Sequence, residues 1–149
     1  MVGLATVFGA GGGTSSYEEV AAADVIVMWG SNARNAHPIF FHHVLRAVDR
    51  GARLYVVDPR RSETAAFADR WLGLEVGTDI ALANTIAREI LHAGLVHHDF
   101  VTRATTGFDE FAASVEDWTL ERGSAVTGVP AGDIRELAHA YAGAGAAQL

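Results

Sequence analysis

Short hydrophobic runs alternate with longer amphipathic segments along the first half of the chain. The run Val25–Trp29 is apolar throughout and Arg53–Val57 is β-branched and aromatic, so both predict strands. An apolar run of this length is typical of a strand buried on both faces, as in a parallel sheet. A third, weaker strand is predicted at residues 70–75.

Helices are predicted between these strands from capping residues. Ser15 or Ser16, each followed three positions later by glutamate, fits a capping box, and Pro38 fits the first turn of a helix. Gly51 is placed as the C-cap of the Pro38 helix, and Ser62 as the cap of a short helix. A further helix is predicted from the spacing of its apolar face, which comprises Leu82, Ala83, Ile86, Ala87, Ile90 and Leu91.

This alternation predicts right-handed βαβ crossovers in an α/β fold, a Rossmann-like parallel sheet flanked by helices. Residues 1–94 are predicted to form this region, which opens on the glycine-rich stretch 1–14. Residues 95–149 are predicted to be a helical continuation of the same domain, with Ile134, Leu137, Ala138 and Tyr141 on one face of the last helix. The Ala/Gly-rich tail has no stop signal, so we expect the chain to be truncated there.

Polar or small residues follow each predicted strand, at Gly30-Ser31-Asn32, at 58–61 and at Gly77-Thr78-Asp79. Ligands of open α/β sheets bind outside the carboxyl ends of the strands, so we expect the three loops to converge on one crevice.

In the first loop, backbone N–H groups of Gly30, Ser31 and Asn32 are candidates to cradle a pyrophosphate. The alternative is an ordinary turn, because the full G-x-G-x-x-G pattern is absent. His37 lies just ahead of the Pro38 helix, where it is either a ligand contact or a polar contact to the loop backbone.

In the other loops, Asp58 is either an acid for ribose hydroxyls or a turn residue. Arg60 and Arg61 could clamp phosphate or a carboxylate, or be solvated surface charge. Asp79 could accept both adjacent N–H donors of guanine, or cap a helix.

Composition excludes several classes of protein. The formal charge is −7 and the eleven basic residues are all arginine, which argues against a nucleic-acid partner. The chain has no cysteine, so disulfides, thiolate metal sites and a cysteine nucleophile are excluded. The seven histidines show no metal-binding spacing, there is no G-x-S-x-G elbow, and neither a membrane span nor a signal peptide is visible.

Three ordered motifs resemble those of the molybdopterin oxidoreductases, above all the catalytic (alpha) subunit of formate dehydrogenases. They are Trp-Gly-Ser-Asn-Ala-Arg-Asn-Ala-His-Pro at 29–38, Val-Asp-Pro-Arg-Arg-Ser-Glu-Thr-Ala at 57–65, and Gly-Thr-Asp-Ile-Ala-Leu at 77–82. Residues 9–19, 107–108 and 127–130 continue the match, so the resemblance covers nearly the whole chain.

The resemblance implies a domain that holds one of two molybdopterin guanine dinucleotides. The first loop from Gly30 to His37 would then lie along the phosphates and ribose, and Val57, Asp58 and Arg60 would contact the nucleoside. Gly77 and Asp79 would read the guanine. The same motifs contribute Trp29, Arg61 and Thr78 as further candidate cofactor contacts.

The cysteine-rich 4Fe-4S segment of such enzymes, their cysteine or selenocysteine on molybdenum and its neighbouring histidine have no counterpart in this sequence. We therefore expect an internal fragment that has no catalytic residue and cannot oxidise formate alone. Implied partners are the rest of its own subunit, iron–sulfur or flavin subunits and formate, in the cytoplasm. Two alternatives stay open, a self-contained NAD-binding domain and a non-catalytic scaffold.

Overall fold

The computed structural model describes residues 2–9 and 15–149, so the glycine cluster at 11–13 lies outside the described residues. The helices are α1 Val2–Phe8, α2 Tyr17–Ala22, α3 Ala33–Ala36, α4 Pro38–Asp49, α5 Asp79–His92, α6 His98–Ala104, α7 Phe108–Val115, α8 Leu120–Thr127 and α9 Ala131–Ala142. The strands are β1 Val25–Trp29, β2 Arg53–Val57, β3 Arg70–Leu72 and β4 Ala147–Gln148, and a 3₁₀ helix spans Ala65–Phe67.

The four strands form one parallel sheet in the order β3-β2-β1-β4. The chain moves outward in one direction from β1 to β3 and then returns to the other side of β1. This reversal places a topological switch point beside β1, which is where open α/β sheets bind ligands. The predicted fold class is confirmed.

Helices cover both faces of the sheet, and each face has its own hydrophobic core. Ile26 and Met28 of β1 face the core formed with α2 and α4, whereas Val25 and Val27 face the core formed with α5, α8 and α9. Because consecutive side chains of a strand point to opposite faces, burial on both sides requires an uninterrupted apolar run. This is the pattern that β1 shows.

Several local predictions are confirmed by the caps. Ser16 is the N-cap of α2 and forms the full capping box with Glu19, and Pro38 is the first residue of α4. Gly51 follows the end of α4 with φ of 100°, the left-handed conformation that glycine adopts without steric cost. The bounds of β1 and β2 agree with the prediction.

Other local predictions are wrong. Ser62 does not cap a helix, because its buried hydroxyl has no hydrogen-bond partner among the described residues and only the short 3₁₀ turn follows it. The third strand ends at Leu72 and not at residue 75. Helix α3 and strand β4 were not predicted, and Val2–Phe8 of the glycine-rich lead-in is helical.

Residues 95–149 supply more than helices, since β4 pairs with Val25 and Ile26 of β1. Helices α8 and α9 pack against α5, and α9 also contacts β1 and β3. The division of the chain at residues 94 and 95 stays a prediction. Within residues 2–9 and 15–149, no helix has the length and apolar character needed to cross a membrane.

Candidate functional site

The loop after β1 leaves backbone donors available. Gly30 donates its N–H to the carbonyl of Val57 at 2.8 Å, which fixes the loop to the end of β2. In the described part of the chain, the amides of Ser31 and Asn32 donate to no acceptor. Gly30 has φ of 60°, and a Cβ built there would meet no atom within 4 Å. The loop therefore offers two N–H groups without an acceptor, next to a glycine with open space at its Cβ position, which suits an anion.

The first loop is also tied to the second through Thr64, a residue that the sequence analysis missed. The buried Thr64 hydroxyl accepts the Arg34 N–H at 3.1 Å and donates to Asn32 Oδ1 at 3.0 Å. Arg34 pairs with Glu63 through its side chain. With its oxygen engaged, the Asn32 amide nitrogen is left to donate elsewhere. No local pattern could identify Thr64, because it is 32 residues away from its partner.

Asp58 closes β2 and is 8% exposed. Its Oδ1 accepts the N–H of Arg60 at 2.8 Å, which is the geometry of a turn residue, while its backbone carbonyl accepts the Trp71 indole N–H at 2.8 Å. Among the described residues, no hydrogen bond engages Asp58 Oδ2. The turn role is thus observed, and the ribose role stays a prediction.

The guanidinium groups of Arg60 and Arg61 are exposed at the same edge. No carboxylate of residues 2–9 or 15–149 lies within 4.0 Å of either group. The Arg61 guanidinium carbon lies 5.8 Å from the centroid of the Trp71 ring, a cation–π distance that steadies the side chain. Both arginines are therefore available to an anionic ligand.

The third loop is joined to the end of β1 by a side-chain hydrogen bond. The Trp29 indole Nε1–H, at the end of β1, donates to Asp79 Oδ1 at 2.8 Å. Asp79 is exposed as the first residue of α5, and Thr78 occupies the N-cap position, so the alternative of Asp79 as the cap is wrong. The Thr78 hydroxyl donates to the Glu75 carbonyl at 2.7 Å, and Gly77 has φ of 85°.

These contacts bring together the predicted residues at 29–32, 57–61 and 77–79. His37 lies at the junction of α3 and α4, where its exposed side chain caps neither helix, and its role as a ligand contact stays a prediction. A metal site has no support within the described ranges, where no three histidine, aspartate or glutamate side chains are grouped to hold an ion.

The fold and the joined loops define this chain as a doubly wound α/β protein with polar loops gathered at the carboxyl edge of its sheet. Its residues 6–128 match the model of the molybdopterin oxidoreductase family. The chain belongs to that family.

Individual relatives agree with this assignment. The chain is 38% identical to the alpha subunit of formate dehydrogenase 2 from Methanococcus maripaludis, over 97% of this chain and 21% of the relative. It is 36% identical to formate dehydrogenase H from Escherichia coli, over 100% of this chain and 21% of the relative.

Among solved structures, the acetylene hydratase of Pelobacter acetylenicus superposes with a TM-score of 0.79 and 30% identity, over 88% of this chain and 20% of that one. The chain thus spans about a fifth of the length of the relatives that it matches.

Proposed function

We propose that the crevice at the carboxyl edge of the sheet binds the guanosine diphosphate half of a molybdopterin guanine dinucleotide, within an enzyme similar to formate dehydrogenase. The observation that carries this proposal is the joining of the three loops by the Gly30–Val57 and Trp29–Asp79 hydrogen bonds. They bring phosphate-binding groups and a carboxylate to one edge.

The residues at this edge fit such a ligand in three respects. The free amides of Ser31 and Asn32 and the unpaired guanidinium groups suit two phosphates. The open space over Gly30 and Gly77 allows a ligand close to the backbone. The exposed carboxylate of Asp79 accepts one hydrogen bond, from Trp29, so both of its oxygens keep lone pairs for the N1–H and N2–H₂ donors of guanine.

In this proposal the chain binds and orients the nucleotide end of the cofactor and does not itself break bonds in the substrate. When bound, the molybdenum cofactor supplies the capacity to take up two electrons from the substrate. The residues of this chain would hold the nucleotide end through the first loop, the arginines and Asp79. Formate as substrate rests on the names and identities of the relatives. The second dinucleotide, the 4Fe-4S cluster, the electron-transfer subunits and the cytoplasmic location rest on the resemblance.

The proposal is tested with GDP, which carries the guanine, the ribose and both phosphates. Resonances of loop residues 30–32, 58, 60, 61 and 77–79 in a ¹H–¹⁵N spectrum should shift on titration with GDP and shift less with ADP or NAD. The variant Asp79→Asn replaces one acceptor oxygen by a donor, so it should lose the preference for GDP over ADP. Asp99→Asn is the matched control, since Asp99 is also an exposed acid in the first turn of a helix, on α6.

Each alternative makes a different prediction for the same titration. A self-contained NAD-binding domain would bind NAD at least as tightly as GDP. A scaffold would show no shift confined to the loops with any of the nucleotides. Equal binding of GDP and ADP by the wild-type chain would contradict the assignment of guanine.

A further inference from the structure

We infer that Trp29 is a positioning residue for base recognition, whose indole N–H fixes the orientation of the Asp79 carboxylate and thereby sets the preference for guanine. This inference rests on the proposed function, because it concerns the same crevice. It assigns Trp29 a role that does not require contact with the ligand.

The indole is suited to this role because the surrounding core holds it in place. Trp29 is half-buried at the end of β1 and packs against the core formed with α5 and α9. Its ring packs against the buried cluster that contains Val27 and Leu137. A ring that is packed in this way presents its N–H in a fixed direction.

The Asp79 carboxylate, in contrast to the packed indole, has little besides the Trp29 hydrogen bond to fix its orientation. Asp79 is exposed, and among the described residues its side chain accepts a hydrogen bond from Trp29 alone. Without that bond the carboxylate could rotate freely in water about its side-chain torsions. The 2.8 Å contact selects orientations in which Oδ1 accepts the indole N–H, and Oδ1 keeps a second lone pair for a ligand.

The orientation of the Asp79 carboxylate should affect the binding of guanine more than the binding of the phosphates. Guanine offers two adjacent donors, which only a carboxylate with both oxygens in the plane of the base can accept together. Adenine offers an acceptor next to its amino group, so it gains little from a correctly oriented carboxylate. Loss of the indole N–H should therefore reduce discrimination between the bases and leave binding of the phosphates intact.

The test compares two tryptophan substitutions in the 149-residue chain. Trp29→Phe removes the N–H but keeps an aromatic ring, and Trp118→Phe makes the same change between α7 and α8, where the indole lies under Arg122. Dissociation constants are measured for GDP, ADP and inorganic pyrophosphate. We expect Trp29→Phe to lower the ratio of GDP to ADP affinity by about tenfold, the effect of one hydrogen bond to a charged group. Pyrophosphate affinity and the Trp118→Phe ratio should equal the wild type.

A Trp29→Phe chain that keeps the wild-type ratio overturns the inference, and so does one that weakens GDP, ADP and pyrophosphate equally. A wild-type chain that does not prefer GDP overturns the proposed function together with this inference, so the two failures are distinguishable.

A second measurement does not depend on the folding of Trp29→Phe. The three tryptophans give three indole N–H resonances, and Asp79→Asn should shift that of Trp29 while leaving that of Trp118 in place. An unmoved Trp29 resonance would show that the contact does not exist in solution and would overturn the inference.

Discussion

The contact between α5 and α8 provides a sharp test of how the helical segment supports the candidate site. Gly123 on α8 is buried against Thr85 on α5, and a Cβ at position 123 would lie 2.2 Å from Thr85 Oγ1 and 2.8 Å from Thr85 Cβ. Thr85 cannot turn away without a cost, since its buried hydroxyl donates to the Ala81 carbonyl at 2.8 Å. Because both Cβ atoms are fixed to helix backbones, Gly123→Ala must move the helices apart.

The size of the effect follows from these distances. Carbon atoms in contact are at least about 3.5 Å apart, and the new Cβ would lie 2.5 Å from Thr85 Cγ2, so the helices must separate by about 1 Å at this point. Overpacking of this kind costs about 1–3 kcal/mol, and the better helix propensity of alanine offsets about 0.5–1 kcal/mol. We expect Gly123→Ala to lower the free energy of unfolding by about 1 kcal/mol, which is about 2–4 °C in Tm for a chain of this size.

The matched control is Gly132→Ala on α9, where a Cβ would meet no atom within 4 Å. This variant should be as stable as the wild type or slightly more stable, because only the helix propensity changes. Thermal unfolding followed by circular dichroism measures both variants. A Tm for Gly123→Ala at or above that of the wild type would refute the argument, as would an equal loss in Gly132→Ala.

The same substitution should also weaken nucleotide binding. Helix α8 ends at Thr127, whose carbonyl accepts the Glu75 N–H at 2.8 Å, so α8 holds the start of the third loop. A displaced α8 would shift the loop that carries Asp79. We therefore expect a folded Gly123→Ala chain to bind GDP less tightly than Gly132→Ala does.

Two further predictions concern buried polar groups. Thr64→Val should lower the free energy of unfolding by about 1–3 kcal/mol and weaken GDP binding, because it removes the hydroxyl that orients Asn32. Denaturation and GDP titration measure the two effects. Thr102→Val, a substitution at an exposed position, should show neither effect in these experiments. Burial raises the pKa of the Tyr55 phenol above its ordinary value of about 10, so the folded chain holds this proton more tightly than the unfolded chain does. The stabilisation that the bound proton provides is fully present below about pH 10 and is lost as the pH rises through the raised pKa. Urea unfolding at about pH 8 and about pH 11 should show a steeper loss of stability for the wild type than for Tyr55→Phe, and parallel losses would contradict this.

Strands and caps could be predicted from the sequence because their causes are local. The apolar run at β1 and the capping box at Ser16 each lie within a few residues, and the structure confirms both. Strand β4 could not be predicted, because its Ala-Gln pair has no strand pattern and is set by pairing with β1, about 120 residues earlier. Ser62 is the opposite case, where a local preference for capping was overridden by burial.

The candidate site likewise has features that could be predicted from the sequence and features that could not. Its loops could be placed at the carboxyl ends of the strands by the general rule for α/β sheets, which needs only the order of elements. The links between the loops could not be foreseen, since Trp29–Asp79 and Asn32–Thr64 join residues 50 and 32 positions apart. Such contacts depend on side-chain directions that emerge only when the sheet and helices have packed.

The names of the relatives that this chain resembles indicate whether its segment distinguishes substrates or binds something that the relatives have in common. The chain is similar over nearly its whole length to proteins named for formate, and its fold is shared with a protein named for acetylene. A segment that proteins with such different substrates have in common is poorly suited to distinguish those substrates. What they can share is the molybdopterin cofactor of the family, and we propose the residues gathered here as donors for phosphates and an acceptor for a base. The selectivity of this crevice should therefore be for one nucleotide over another, and base specificity, not substrate specificity, is the property that substitutions in these loops should change.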